Sequence, residues 1–317
     1  MHIKYFIKRL IKDLFSKSSK LPNNSYVLTL SGGIGNQLLQ YSIGEYARRE
    51  LKKNIYYLDI TKSYRNKHSS EIESLLNIQI NKISFSNIFK IPLCFLFLPK
   101  SLRLQTFIYK KFGIKLPNLY FEDNFTDIEI FQKDSKFYPN LYIGTWHNLI
   151  TKYNFTKIIR TYEFNTNFQI PELLKDLFNK QVIGLHVRRG DYIKDKRTSN
   201  FHGNLTNKYF LDSVKYLRNI YGELPVFIFS DDIEWVKYNL RPLINNSFIF
   251  EKSRSAEMDL YLMSKCSYFV LSNSTFSWWA ACLSSSVDKF IVVPRYWFKG
   301  VEVNKSIIPL DWNYEIL

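Results

Sequence analysis

The second half of the chain alternates short apolar runs with helical patterns, and this alternation constrains the fold more than any other feature. The apolar runs lie at Val182–Val187, Val226–Phe229, Phe248–Phe250, Tyr268–Leu271 and Phe290–Val293. Helical patterns separate several of them, notably at Ile233–Leu240 and Ala256–Lys265. Strands that alternate with helices predict an α/β domain with a mostly parallel sheet.

The beginning of the chain predicts a second unit of the same kind. Tyr26–Leu30 is typical of a buried strand, and a glycine-rich turn at residues 31–35 leads into a helical pattern. A second strand at Ile55–Leu58 completes a βαβ unit, whereas residues 60–140 are less regular. We therefore predict a basic amphipathic segment over 1–25, an N-terminal domain over 26–155 and a C-terminal domain over 156–317.

Polar residues follow the predicted strands of the second half. Ligands of parallel sheets collect where the strands end, so these residues are the first candidates for a binding site. The segments are Arg188-Arg189-Gly190-Asp191, Ser230-Asp231-Asp232, Ser253-Arg254, Ser272-Asn273-Ser274-Thr275 and Pro294-Arg295.

Arg188 is a candidate phosphate ligand because a guanidinium group is always charged and offers a planar fork of donors. The alternative for both arginines is a structural ion pair with Asp191 or Glu251, and this alternative carries more weight for Arg189 than for Arg188. Alternation along the strand places His186 on the same face as Arg188. A core histidine and a functional one, acting as a base or contacting a ribose, fit this position equally well.

The two aspartates after the second of these strands have different expected roles. Asp232 fits the N-cap of the helix that follows, whereas the Asp231 carboxylate has the geometry to accept two hydrogen bonds from a guanine base. Ser274 and Thr275 begin another helix, where hydroxyl groups and free backbone N–H groups attract anions. The alternative for these two residues is an ordinary helix cap, with Trp278 and Trp279 beginning the buried face.

The sequence offers no pattern for a metal or a redox cofactor. The paired aspartates are not a D-x-D motif, the five histidines are scattered, and the three cysteines have no paired spacing. Unpaired cysteines favour a reducing, cytoplasmic compartment, and no apolar run reaches the ~18 residues that a spanning helix needs.

The charge is concentrated in the first third of the chain. Residues 1–120 hold 20 basic and 6 acidic residues, which accounts for +14 of the net charge of +16. Residues 1–20 carry an apolar stripe at helical spacing with lysines largely off it, so they either lie on an anionic membrane surface or pack on their own domain. The basic charge also suits nucleic acid, but no nucleic-acid-binding module appears, and we expect no such partner.

Taken together, the motifs resemble those of glycosyltransferase family 11, the α-1,2-fucosyltransferases. The resemblance covers about residues 26–60 and 140–313, with the motifs in the order that the family shows. They are Gly32-Gly33-Ile34-Gly35-Asn36-Gln37 with Gln40-Tyr41, His186-Val187-Arg188-Arg189-Gly190-Asp191-Tyr192, Phe229-Ser230-Asp231-Asp232 with Trp235, Met258–Ser264, Ser272–Trp279 and Pro294–Phe298.

The resemblance implies a GT-B-like α/β architecture, in which two Rossmann-like domains with mostly parallel sheets face a cleft. It further implies inverting, metal-independent transfer of L-fucose from GDP-fucose to the 2-hydroxyl of a galactoside, without a cofactor. Alternatives are another GDP-deoxysugar, a different hydroxyl, and donor binding without turnover. We hypothesise a galactose-containing, lipid-linked glycan acceptor in bacterial surface polysaccharide synthesis, used by an enzyme peripheral to the inner face of the cytoplasmic membrane.

The same resemblance implies roles for single residues. Arg188 would neutralise the departing diphosphate, and Asn36, beside Gly35, would reach across the cleft to the reacting centre. Asp191 is a candidate for the base, although a nearly dissociative attack needs no strong base. The remaining predicted substrate contacts are Gly35, His186 and Arg189, Asp231 for guanine, and Ser274, Thr275 and Phe276 for the diphosphate.

Overall fold

The structure, a computed structural model, describes a defined set of residues. They are 21, 25–61, 72–83, 119–122, 127–132, 140–146, 149, 153, 155–249, 255–303 and 305–317. Most of the predicted amphipathic segment 1–25, together with Ser253 and Arg254, lies outside this set. The chain divides into two compact units, one formed by Met1–Glu73 and Ile78–Ile158 and the other by Ser74–Asn77 and Ile159–Leu317.

The N-terminal unit is built on a parallel sheet with the strand order β3-β2-β1-β5-β4. Its strands are β1 (Ser25–Leu30), β2 (Asn54–Asp59), β3 (Lys82–Ile83), β4 (Leu119–Phe121) and β5 (Asn140–Ile143). Helix α1 (Ile34–Arg49) joins β1 to β2, which confirms the predicted βαβ unit. Val27, Leu58 and Leu141 pack together in the core of this unit.

Two short helices contain two of the three points where the chain passes between the units, and the third point lies between Asn77 and Ile78. These helices are α2 (Ile72–Leu75) and α3 (Thr156–Ile159). Helix α4 (Glu172–Phe178) then precedes the first strand of the C-terminal sheet.

The C-terminal unit contains a six-stranded parallel sheet with the order β13-β10-β9-β6-β7-β8. Its strands are β6 (Ile183–Val187), β7 (Val226–Ser230), β8 (Ser247–Ile249), β9 (Tyr268–Val270), β10 (Phe290–Val293) and β13 (Asn313–Ile316). The five strands predicted from apolar runs are confirmed, and β13 was not predicted. These strands are apolar at successive positions because both of their faces are covered. In β6, for example, every residue is buried.

Helices connect the strands of this unit, as the alternating pattern predicted. They are α5 (Gly190–Lys194), α6 (Lys196–His202), α7 (Asn207–Tyr221), α8 (Ile233–Asn239), α9 (Ala256–Ser264) and α10 (Thr275–Cys282). A separate two-stranded hairpin, β11 (Tyr296–Phe298) and β12 (Val301–Glu302), follows β10. Trp278 and Trp279 of α10 are buried as predicted.

Two parallel sheets, each connected by helices, establish the predicted α/β class with two Rossmann-like units. No helix among the described residues is long and apolar enough to cross a bilayer.

Candidate active site

Three neighbouring strands of the C-terminal sheet bring the predicted site residues to one edge. Strand β6 lies between β9 and β7, and all three run in the same direction. Arg188 follows β6, Asp231 follows β7, and Ser272 to Thr275 follow β9. The grouping that the sequence predicted at the carboxyl ends of these strands is therefore present for these three segments.

The Arg188 guanidinium group lies between two carboxylates. Its Nη1 is 2.8 Å from Oδ2 of Asp231, and its Nη2 is 2.7 Å from Oδ1 of Asp191. The guanidinium carbon is 5.4 Å from the centre of the Tyr192 ring. The ion pair with Asp191 is one that the sequence left open, and Glu251 lies outside the described residues. The group stays partly exposed, so it remains available to an anionic ligand.

Asp231 organises both arginines. While Oδ2 pairs with Arg188, Oδ1 accepts a hydrogen bond from the backbone N–H of Arg189 at 2.8 Å. This close approach depends on Gly190, because a Cβ atom on residue 190 would lie 2.5 Å from Oδ2 of Asp231. The glycine of the Arg-Arg-Gly-Asp segment therefore makes room for the carboxylate.

The Arg189 side chain is held inside its own unit. Its Nε lies 3.3 Å from Oδ2 of Asp232, and its guanidinium carbon lies 3.7 Å from the centre of the Trp235 ring. Asp232 also caps α8, since its Oδ1 accepts from the backbone N–H of Trp235 at 3.2 Å. This confirms the predicted cap. Arg189 therefore forms a structural ion pair, but its partner is Asp232 and not the predicted Asp191 or Glu251. Its contact with the donor stays a prediction.

His186 is buried beneath the site, with 4% of its surface exposed. Its ring stacks on Phe276 with the centres 5.0 Å apart. Burial lowers the pKa of His186 to about 3. Asp231 raises this pKa and Arg188 lowers it, each by less than burial does. The imidazole is therefore neutral near pH 7. Among the described residues its Nδ1 is buried without a hydrogen-bond partner, which makes His186 a candidate to contact a ligand.

The segment after β9 ties the strand ends together. The Ser272 hydroxyl donates to the backbone oxygen of His186 at 2.6 Å and accepts from the backbone N–H of Arg188 at 3.1 Å. Ser274 caps α10, its hydroxyl accepting from the backbone N–H of Phe276 at 3.3 Å. The cap that the sequence offered as an alternative is therefore present. It places Thr275 and Phe276 in the first turn of the helix, where backbone N–H groups favour negative charge.

Gly35 and Asn36 lie in the N-terminal unit, in the first turn of α1. The turn before them requires glycine at position 32, where φ is +76° and a Cβ atom would lie 2.8 Å from Nδ2 of Asn36. Gln40 fixes this turn, because its amide accepts from the backbone N–H of Ser31 and donates to the oxygen of Gly144. Asn36 is joined to the same turn, because its backbone N–H donates to the oxygen of Gly33 at 3.0 Å.

Sequence reasoning missed one histidine beside the arginine. The His202 ring stacks on Tyr192 with the ring centres 4.5 Å apart and the planes 12° apart. Burial lowers the pKa of His202, with Asp191 and Arg188 exerting smaller and opposite effects. His202 belongs to no motif that the sequence analysis used, so tertiary contacts alone reveal it. No group of three or more His, Cys, Asp or Glu residues within the described ranges is arranged to hold a metal ion.

The fold and this site define a Rossmann-like α/β protein in which an arginine and a helix N-terminus lie at the ends of neighbouring parallel strands. The sequence model of glycosyl transferase family 11 matches residues 119–316, more than half of the chain. This chain belongs to that family and is a glycosyltransferase, as its motifs predicted.

Similar proteins agree with this membership. The chain is 29% identical over 313 residues to the O-antigen biosynthesis glycosyltransferase WbnK of Escherichia coli, covering 89% of this chain and 97% of WbnK. It is 29% identical over 294 residues to an alpha-1,2-colitosyltransferase of Escherichia coli, covering 88% and 94% of the two chains. Over 107 residues it is 31% identical to galactoside alpha-(1,2)-fucosyltransferase 1 of Sus scrofa, covering 32% and 28%.

Proposed function

We propose that this enzyme transfers L-fucose from GDP-fucose to the 2-hydroxyl of a galactoside acceptor, with inversion at the anomeric carbon. The observation that carries the proposal is the guanidinium group of Arg188, which two carboxylates hold at the carboxyl edge of a parallel sheet. The first turn of α10 lies after the adjacent strand β9. A guanidinium group beside a helix N-terminus suits a nucleoside diphosphate.

The mechanism follows from where charge develops. As the bond between fucose and GDP lengthens, the sugar becomes oxocarbenium-like and negative charge builds on the β-phosphate. Arg188 compensates this charge, and its fixed position makes the interaction stronger in the transition state than in the ground state. The acceptor 2-hydroxyl attacks the anomeric carbon from the side opposite GDP, and the bond between that carbon and the β-phosphate oxygen breaks, so that GDP leaves with the electron pair. The hydroxyl proton passes to Asp191 or to water.

The remaining residues have supporting roles in this proposal. Ser274, Thr275 and Phe276 hold the diphosphate, His186 contacts the nucleoside, and Asp231 contacts guanine with lone pairs that its two arginine contacts leave unused. Asp191 is the candidate base, and one of its carboxylate oxygens pairs with Arg188. From the N-terminal unit, Asn36 and Gly35 are proposed to contact the reacting sugar.

A second candidate is transfer of a different deoxysugar. It is favoured by the similarity to an alpha-1,2-colitosyltransferase, because the match with that enzyme covers 88% of this chain. The test is incubation of the protein with GDP-fucose or GDP-colitose and a panel of β-galactosides, with the product linkage read by NMR. An α-1,2-fucoside supports the proposal, and a colitoside alone supports the second candidate. Release of GDP without a glycoside product contradicts both.

The acceptor is proposed to be a lipid-linked glycan at the cytoplasmic membrane face. The excess of basic residues in the first 120 positions and the name of the WbnK relative support this. Activity on lipid-linked and free galactosides of the same structure tests the acceptor. Sedimentation with anionic vesicles, compared between the whole chain and a chain that begins at residue 21, tests the membrane contact.

A further inference from the structure

Aromatic side chains gather on the surface next to the proposed donor site. Phe201 is 59% exposed and Tyr296 is 47% exposed, and the half-buried Phe298 lies with its ring centre 4.8 Å from that of Phe201. Along β11, Tyr296 is exposed and Phe298 is half-buried, whereas Trp297 between them is buried. We call Phe201, His202, Tyr296 and Phe298 the aromatic shelf.

The aromatic shelf is continuous with the catalytic arginine. The Arg188 guanidinium lies over Tyr192, the Tyr192 ring stacks on His202, and the His202 ring is 5.6 Å from Phe298. Two rings therefore separate the guanidinium group from Phe298. Single exposed apolar side chains are normal on a soluble protein, but a connected group beside a reaction centre points to a ligand.

Hydrogen bonds fix the aromatic shelf in position. The side-chain amide of Asn273 donates to the backbone oxygens of His202 at 2.9 Å and of Trp297 at 3.3 Å. The backbone oxygen of Asn273 accepts from the Tyr192 hydroxyl at 3.0 Å. The backbone N–H of Lys299 donates to the oxygen of Phe201 at 2.9 Å. Because Asn273 directly precedes the α10 cap, the same segment positions the shelf and the proposed diphosphate site. A surface ordered in advance binds a ligand with less entropic cost.

The aromatic shelf is also uncharged. Burial lowers the pKa of His202, so its imidazole is neutral near pH 7, and its Nδ1 is buried without a partner among the described residues. The segments that carry the shelf, residues 190–203 and 295–302, contain five basic and three acidic residues. This mixed charge of +2 is a poor match for an anionic bilayer, which attracts clusters of unpaired basic residues.

We propose that the aromatic shelf binds the glycan acceptor, by stacking on the C–H face of a sugar residue next to the one that is modified. Pyranose rings have an apolar face that aromatic rings cover, while the hydroxyl groups at the ring edge stay in water. The shelf lies after β10 and at the end of α6, away from β7 and its Asp231. This inference rests on the proposed function, since an acceptor is needed only if a sugar is transferred.

The test uses Phe201→Ala, Tyr296→Ala and the double variant, with Tyr238→Ala as the control. Tyr238 lies on α8 and is 70% exposed. With saturating GDP-fucose, we expect the double variant to raise KM about tenfold for a trisaccharide that ends in β-galactose, a change worth about 1.4 kcal/mol. KM for methyl β-galactoside, KM for the donor and the hydrolysis of GDP-fucose without acceptor are expected to stay unchanged, as is every constant of the control.

An unchanged trisaccharide KM overturns the inference, and so does a parallel loss of donor hydrolysis, because the shelf would then only support Arg188. The inference is also overturned, in favour of a membrane contact, if the double variant keeps the wild-type KM for the trisaccharide but no longer sediments with vesicles of equal phosphatidylglycerol and phosphatidylcholine. If the wild-type protein neither transfers nor hydrolyses the donor, the proposed function fails. Saturation-transfer NMR with the trisaccharide then still decides the inference: a signal that the double variant loses supports it, and no signal overturns it.

Discussion

The carboxylate of Asp231 uses the space that a side chain on Gly190 would fill. A Cβ atom at position 190 would lie 2.5 Å from Oδ2 of Asp231 and 3.0 Å from its Cγ. The same Oδ2 pairs with Arg188 at 2.8 Å. The absence of a side chain at residue 190 therefore sets the position of the guanidinium group two residues earlier.

Gly190→Ala is expected to reduce activity more than stability. The new methyl group rotates the Asp231 carboxylate away from Arg188, and misplacement of a catalytic group by about 1 Å costs about 10²-fold in rate. Steady-state kinetics with the donor and thermal unfolding measure the two effects. Gly33→Ala is the matched control for unfolding, because a Cβ there meets nothing within 4 Å. Equal activity of Gly190→Ala and the wild type would contradict this coupling.

Arg188→Ala is expected to lower kcat by about 10²-fold or more, the size of loss seen when one preorganised donor is removed from a developing anion. Arg188→Lys keeps the charge but loses the planar fork, so an intermediate loss is expected. Arg241→Ala is the control, because Arg241 is exposed and lies just beyond the end of α8. An Arg188→Ala enzyme with full kcat removes the basis of the proposed mechanism.

Asp231→Asn separates two roles of one carboxylate. Loss of the ion pair loosens Arg188, so kcat is expected to fall. The proposed guanine contact predicts in addition a smaller preference for GDP over IDP, which lacks the exocyclic amine, by about tenfold or more. Inhibition by the two diphosphates measures this preference. A fall in kcat with the full preference retained would leave the positioning role and rule out the guanine contact.

His186 is expected to make stability fall in weak acid. Its folded-state pKa of about 3 lies below the unfolded value of about 6.5, so between these values the unfolded chain binds more protons. Stability therefore decreases as the pH falls through this window, by about 2 kcal/mol between pH 7.5 and pH 5. Urea unfolding of the wild type and His186→Phe at both pH values isolates this contribution. An equal change in both proteins would show that His186 does not titrate in this way.

Much of the fold was predictable because the C-terminal strands are buried on both faces. Runs such as Val226–Phe229 contain no polar residue and are therefore easy to distinguish from loops. The strand β7 begins at Val226, where this apolar run also begins. Strand β13, with the sequence Asn-Tyr-Glu-Ile, pairs with β10 alone at the edge of its sheet. Its polar residues remove the apolar signal, which is why the sequence did not reveal it.

The site was predictable where it depends on strand ends and not where it depends on tertiary contacts. Arg188 and Asp231 could be placed at one edge because parallel strands end together. The sequence could not show that Asp231 holds Arg188, since that depends on the β6–β7 register, which pairs Val187 with Ser230. His202 was missed for the same reason: its stacking on Tyr192 follows from how α5 and α6 pack.

The hairpin formed by β11 and β12 pairs with itself and not with either large sheet. Its exposed side chains can therefore change without breaking a strand pair of the sheet that supports the arginine. On the proposal that the aromatic shelf binds the acceptor, such changes are expected to alter which oligosaccharides are accepted while leaving nucleotide recognition to the strand ends.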